Sequence, residues 1–482
     1  LARSRATRSA RARELLTELM PRLLKALSVT ADPDLAIRRF DAFLQALPAG
    51  VQIFSLLYSN PGLLDLVAEI MGSAPLLADA LSRRAVLLEN VLSAGFFDPV
   101  PQRTALDEDL GRQLEQSQGF EDALDIVRRW TKDRQFQIGV RMLRGTADGE
   151  EAGLALSDTA DIALARLYPL TVAEFERQHG KLPGRGMAPV ALGKLGSQEM
   201  TITSDLDLIF IYDIPTAVEH WDTTLSDGPK PLAPIQYYAR LAQRFINAIS
   251  AMTGEGGLFE VDMRLRPSGA SGPIASGLQP FEKYQNAEAW TWEHMALTRA
   301  RVICGDPGLK ADFETVAKRI LTVSRDPGKL AGDIIDMRLR MAQQYRGDNL
   351  WDLKYLRGGQ VDLDFIAQFL QLRHGYAHPE ILDPQGGQVL ERARDLDLIP
   401  VETADQLIAI GRLWRQLQQM IRLLVGGKVD EASLREPTRR HLAQSAGADS
   451  FEALKDLIRE KAAMVHAAYH AIIGPEKTNG SA

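Results

Sequence analysis

The stretch 190–213, VALGKLGSQEMTITSDLDLIFIYD, constrains the fold of this chain more than any other. Upstream the apolar residues keep a helical spacing, but from about Gly180 alternation and β-branched runs replace it, so a sheet must begin here. An apolar strand over 189–192 leads through a glycine-rich turn, Gly193 to Ser197, into a strand carrying Ser204, Asp205, Leu206, Asp207, Leu208, Ile209 and Phe210. Side chains two apart on a strand share a face, so Asp205 and Asp207 point the same way. Their roots lie roughly 6.5 to 7 Å apart, from which two carboxylates can converge on cations about 4 Å apart, the spacing of two-metal sites. An isolated D-x-D is more often a strand end with two solvated acids.

A second segment raises the prospect of a site. Over 258–266, Phe259, Val261, Met263 and Leu265 alternate with Glu260, Asp262, Arg264 and Arg266, which predicts a strand with one apolar and one ionic face. Paired beside the first acidic strand, it would add Asp262 to Asp205 and Asp207 and offer Arg264 and Arg266 to triphosphate oxygens. The same arginines can instead neutralise neighbouring acids. For Arg266 both roles stay open, and Arg264 leans to the structural one. In the turn, Gly193 and Gly196 let backbone approach a phosphate, Ser197 can donate a hydrogen bond, and Lys194 supplies charge. The spacing is neither a Walker A loop nor a dinucleotide fingerprint, and alone it reads equally as a tight turn. Asp205, eight residues after Ser197, strengthens the phosphate reading.

The rest of the chain is helical in pattern. Apolar residues recur at three and four from Ala12 to about Arg144, as in Phe40, Phe43, Leu44 and Leu47, with breaks at Pro48 and Gly50, Asn60 and Pro61, Ser73 and Pro75, and Asp98, Pro99 and Pro101. A helix is expected over 235–252, helices resume near Ala289, and the stretches 388–396, 404–424 and 451–472 are the clearest beyond Asp333. With 482 residues, about three domains are expected. We place a helical linker or regulatory bundle at 1–145, a catalytic domain at 146–325, a C-terminal helical bundle at 326–475 and a disordered tail at 476–482. The fold class is α+β, predominantly helical, with a mixed sheet flanked by helical bundles at both ends.

Composition excludes some functions. A net charge of −7 argues against a protein that coats nucleic acid, and no run reaches the ~18 apolar residues of a membrane span, so neither is an expected partner. The single cysteine, Cys304, excludes an internal disulfide and a cysteine zinc site and fits a reducing, cytoplasmic compartment. Arg3, Arg5, Arg8, Arg11 and Arg13 precede the first acid, Glu14, as in a transit peptide or at the solvated start of a helix cut from a longer chain. The amphipathic pattern running on through Leu15, Leu16, Leu19, Leu23 and Leu27 favours the second reading.

A glycine–serine turn, D-x-D and a third aspartate on a later strand resemble the DNA polymerase β nucleotidyltransferase superfamily. More narrowly, VALGKLGSQEMTITSDLDLIFIYD, EVDMRLRPSGASGP, EAWTWEHMALTRARVICGDP and KYLRGGQVDLDFIAQ resemble successive blocks of glutamine-synthetase adenylyltransferase. That family carries two catalytic copies, one removing AMP by phosphorolysis and one attaching it, and EAWTWEHMALTRAR resembles the attaching copy. The resemblance implies ATP as substrate, two Mg²⁺ ions on Asp205, Asp207 and Asp262, a triphosphate contact at Gly196 and Ser197, and AMP transfer to a tyrosine of glutamine synthetase. Asp262 is also a candidate to take the phenol proton. The implied regulators are the PII protein and glutamine. Two departures stand out: Ser197 replaces the usual glycine, and Asp364 a usual glutamate, which puts in doubt any role needing the longer reach.

Two rival readings keep parts of this picture, a small-molecule nucleotidyltransferase and a non-catalytic helical adaptor; the long helical flanks count against the first and the intact acids against the second. Trp290, Trp292, Phe281 and Tyr284 read as core before adenine stacking. Glu293, Arg299 and Arg301 fit a cleft lining or a surface network. Lys354, Gly358, Gly359, Asp362 and Gln368 read as a structural turn before a helix, and His294, His374 and His378 lack metal-ligand spacing.

Overall fold

A computed structural model of the chain describes residues 4–30, 32–93, 95–215, 220–345 and 349–475. The expected tail at 476–482 lies outside the described residues, as does Arg3 of the basic start.

The first third is helical, from Ala10–Ser28 to Phe120–Leu143. Its punctuation works as proline and caps dictate. Pro61 and Pro75 open helices at the position where the missing N–H costs nothing, and the Ser9 and Asp32 side chains accept from the Ala12 and Leu35 amides. Leu15, Leu16, Leu19, Leu23 and Leu27 are all buried.

The segment 146–179, which sequence pattern left unassigned, is the long helix Gly149–His179, started by a capping box of Asp148 and Glu151. It packs against Phe120–Leu143, Pro234–Ser250 and Val401–Leu424. Burial on several sides replaces a single apolar stripe with scattered apolar and small residues, which hides the helical period.

The sheet holds β1 (Met187–Ala191), β2 (Leu206–Tyr212), β3 (Val261–Asp262), β4 (Ala275–Gly277) and β5 (Arg301–Val302). Its order is β3-β2-β1-β5, with β1 antiparallel to both neighbours. Both β3 and β4 run parallel to β2, β3 along its first residues and β4 along its last. The sheet is mixed and the helices flank it, as the sequence predicts. β3 is far shorter than the strand expected over 258–266. Asp262 accepts from the Arg264 amide at 2.8 Å, and the Arg266 guanidinium holds the carbonyls of Met263, Ala270 and Gly272, so local side-chain bonds curl the chain before a ladder can extend. Helices resume at Leu278–Ala287, earlier than expected.

The helix Phe120–Leu143 clamps the approach to β3. Fully buried Arg128 donates to the carbonyls of Ala248, Ala251 and Gly256 at 2.8 to 2.9 Å, and Thr253 donates to Asp125 at 2.6 Å. The bonds to Ala248 and Ala251 satisfy carbonyls at the C-terminal end of Pro234–Ser250, which no intrahelical donor reaches.

C-terminal helices Gln360–His374, Gly386–Asp395, Val401–Leu424 and Phe451–Ile472 close the molecule. Gly358, at φ +77°, lies so near the helix Phe451–Ile472 that a Cβ would stand 1.8 Å from the Ala462 carbonyl. Arg338 and Asp362 form an ion pair, each 1% exposed. Val401–Leu424 is bound to the segment after the glycine turn through Arg415 and Glu199 at 3.2 Å and through Gln419 and the Met200 carbonyl at 2.8 Å. One apolar cluster runs from Ala6 to Ile473. No helix among the described residues is long and apolar enough to cross a membrane.

Candidate active site

The pairing of β2 with β3 sets Asp207 opposite Asp262 in register. Asp205 precedes β2 by one residue, so it sits exposed at the strand's mouth, while Asp207 is half-buried. Burial pushes the Asp207 carboxyl up to about 6, and the charges of Asp205 and Asp262 push in the same direction. Like charges gathered this way are unfavourable without a cation. Asp262 goes the other way: the hydrogen bond from Arg264 holds it below the usual carboxylate range. Arg264 Nε donates to Asp262 Oδ2 at 2.7 Å, and the arginine side chain is itself 81% exposed.

Among the described residues, no three carboxylate, histidine or cysteine groups are already drawn close enough to hold a metal ion. The acids nonetheless suit a hard divalent cation, because their donors are all oxygen and their mutual repulsion is what such an ion relieves.

The glycine turn is one helical turn, Gly193–Gly196, bonded to β2 by Leu192 N to Asp207 O at 2.9 Å. Gly193 has φ +51°, and a Cβ there would stand 2.0 Å from Asp207 Oδ2; one on Gly196 would stand 2.0 Å from the Arg299 carbonyl. Both glycines are therefore required by contact. Ser197 is fully buried, its hydroxyl donating to Gly193 O at 3.2 Å and Glu199 Oε2 at 3.0 Å, so it faces into the turn. Arg301 braces the turn, donating to the Leu195 carbonyl and to the buried Asp161 carboxylate at 2.7 and 3.0 Å. Arg301 thus supports the turn from behind.

Lys194, Asp205, Asp207 and Arg299 line a cleft of about 480 Å³ whose other wall comes from the C-terminal helices. That wall includes Trp351, Lys354, Arg422 and Lys428. Arg299 pairs with Asp364 at 2.6 Å, so the shorter acid does reach across to the segment that leads into β5. Burial pushes the Lys194 ammonium down to about 8, with Lys354 and Arg422 next in effect. Arg266, spent on three carbonyls of its own loop, is not among the cleft lining.

Several weaker candidates resolve. Gly358, Gly359 and Asp362 are structural, but Lys354 faces the cleft, a placement the sequence did not reveal; its one signal was membership of the KYLRGG block. Glu293 is buried and accepts from Tyr284 and the Trp290 amide, each at 2.9 Å. Phe281 is core, whereas Trp290, expected in the core, is 71% exposed. His294 faces the Gln285 carbonyl at 2.9 Å.

Comparison with known proteins gives a consistent answer. A family model described as "Glutamate-ammonia ligase adenylyltransferase" matches residues 64–316. A protein of Brucella suis biovar 1 (strain 1330), named bifunctional glutamine synthetase adenylyltransferase/adenylyl-removing enzyme, is 44% identical over 474 residues, covering 98% of this chain and 47% of that protein. One of the same name from Bradyrhizobium sp. (strain BTAi1 / ATCC BAA-1182) is 40% identical over 469 residues, covering 97% of this chain and 47% of its own length. The chain spans about half the length of the curated relatives it matches.

Proposed function

The chain belongs to the glutamate-ammonia ligase adenylyltransferase family, and from that membership we propose that it transfers AMP from ATP to a tyrosine of glutamine synthetase. The observation that carries this reading is the register of Asp207 with Asp262 beside Asp205, at a cleft whose opposite wall is cationic. Anions are drawn to that wall and the acids face it, which suits a nucleoside triphosphate better than a neutral substrate.

In the proposed reaction the phenol oxygen attacks the α-phosphorus and gives up its proton to solvent water, the bond to the β-phosphate breaks, and pyrophosphate leaves with its charge. Asp205, Asp207 and Asp262 would hold two Mg²⁺ ions, which when bound supply charge neutralisation to the attacking and leaving oxygens. Arg264 keeps Asp262 ionised, which suits a cation ligand more than a proton acceptor, and we give it the first role. Gly193 leaves room for the Asp207 carboxylate, and Lys194 brings a cation beside the turn. Gly196 and Ser197 shape that turn so that its backbone meets the triphosphate. The effectors that go with this function are PII and glutamine, acting on the helical parts, and the site of action is cytoplasmic. The divisions at 145/146 and 325/326 separate a regulatory bundle, the catalytic segment and a bundle that completes the cleft.

Incubating the chain with labelled ATP, Mg²⁺ and unmodified glutamine synthetase should place label on a tyrosine. In the same assay Asp205→Asn and Asp207→Asn should remain folded and lose activity by several orders of magnitude. Release of ADP from adenylylated synthetase and phosphate, with no labelling of the unmodified enzyme, would assign the removing reaction instead. Near-normal transfer by either variant would refute the site.

A further inference from the structure

Three cations enter the cleft from separate places in the C-terminal part: Lys354 after the Asn349–Trp351 edge, Arg422 in the last turn of Val401–Leu424, and Lys428 in the loop that follows. All three are exposed to the cleft and solvent. None forms an ion pair among the described residues, although Arg299 and Arg415 close by are matched to Asp364 and Glu199. Arg422 alone has a bland explanation, since a cation at a helix C-terminus suits the helix dipole. That account does not extend to Lys354 or Lys428, which lie in loops.

Lys354 stands over the Tyr355 ring at 5.1 Å and acts on the Asp207 carboxyl, and Asp352 lines the same cleft, but cations at converging positions with no ion pair repel one another, a cost that a bound anion relieves. Their field reaches Lys194, whose ammonium burial pushes down first and Lys354 and Arg422 push down further. A further sign of an absent polar occupant is that Gln360 Oε1 and Gln418 Nε2, both in residues of the same lining, have no hydrogen-bond partner. Lys194 of the glycine turn lines the same cleft as these cations, so an anion that reaches from the turn to all of them must be elongated and multiply charged.

We propose that Lys354 and Arg422, with Lys428 at the rim, form a polyphosphate subsite that holds the β- and γ-phosphates of the nucleotide and retains the departing pyrophosphate. The subsite rests on the AMP-transfer reading for its nucleotide, but its ligand class, a linear polyphosphate, can be tested without glutamine synthetase. It makes the C-terminal helices part of the substrate site rather than a support for it.

Inorganic tripolyphosphate is the probe, titrated calorimetrically into the whole chain at fixed ionic strength, with AMP titrated in parallel. Lys354→Met and Arg422→Met should each weaken tripolyphosphate about tenfold, the size expected for one charged hydrogen bond, and leave AMP within about twofold. Lys354→Arg should keep most of the binding. Both sites are exposed, and an unchanged melting temperature will show that the variants fold. The proposal is overturned if the double variant binds tripolyphosphate like the unaltered chain, if the unaltered chain does not bind it, or if AMP is lost in equal measure. Loss of tripolyphosphate in the variants with no labelling of glutamine synthetase by the unaltered chain supports the subsite and removes the AMP-transfer reading. Normal labelling with unchanged tripolyphosphate binding does the reverse.

Discussion

Lys194 is a single residue whose charge costs the fold stability. Its ammonium is driven from 10.5 to about 8 by burial and by the cations opposite, so the fold disfavours the charge it carries at neutral pH. The sign follows from proton counting. Below pH 8 both folded and unfolded chains hold the proton and the full cost is present; between about 8 and 10.5 only the unfolded chain holds it, so stability from this group rises with pH. Lys194→Met should therefore stabilise the chain by about 1 kcal/mol at pH 7, discounted for partial solvent access, with the gain fading towards pH 10.5. Denaturant titration at the two pH values checks this, and nucleotide binding should weaken in the same variant. Lys194 was legible in the sequence because it sits inside a glycine turn next to a strand. Lys354 was not, because a loop cation among helices carries no period and its partner wall is more than a hundred residues away in the chain.

At the scale of elements, the turn and the strands impose tighter limits than their lengths suggest. Gly193→Ala would drive a Cβ into the Asp207 carboxylate and also force a non-glycine residue to φ +51°. The expected result is a folded protein, less stable by about 1 kcal/mol, with AMP transfer reduced far more than that loss explains; comparing melting temperature with initial rate separates the two effects. In Gln360–His374, Asp362→Ala would leave the buried Arg338 guanidinium without its partner. A loss of about 3 to 5 kcal/mol in urea unfolding is expected, with Arg338→Met, Asp362→Leu together recovering much of it. β2 was readable because Asp205 and Asp207 keep the period of two at its start and a continuous apolar run, buried to Tyr212, follows. β3 misled because the same alternation over 258–266 holds only as far as Asp262, after which Asp262 and Arg266 bond to nearby backbone. No periodicity announces a side chain that prefers its own loop.

For the whole molecule, the cleft joins parts that sequence texture separates. The sequence changes texture near Gly180, but the buried apolar residues form one cluster along the chain, and the cleft draws on both the sheet region and the C-terminal part. A ligand held by both walls should stabilise them as one unit. Saturating ATP analogue with Mg²⁺, at about a hundred times its Kd, is expected to add about 2.7 kcal/mol and raise the melting temperature while keeping a single calorimetric transition. Two transitions, with only one moved by the ligand, would contradict this. Arg128 carries the matter further. Because its guanidinium belongs to the leading helices yet fastens the segment that delivers Asp262, excising the chain at the visible change of texture would take away the rivet and leave the third acid on a slack tether. The smallest piece that keeps the three acids in place is therefore longer than its sequence motifs, and whatever bends the leading helices has a short mechanical route to Asp262.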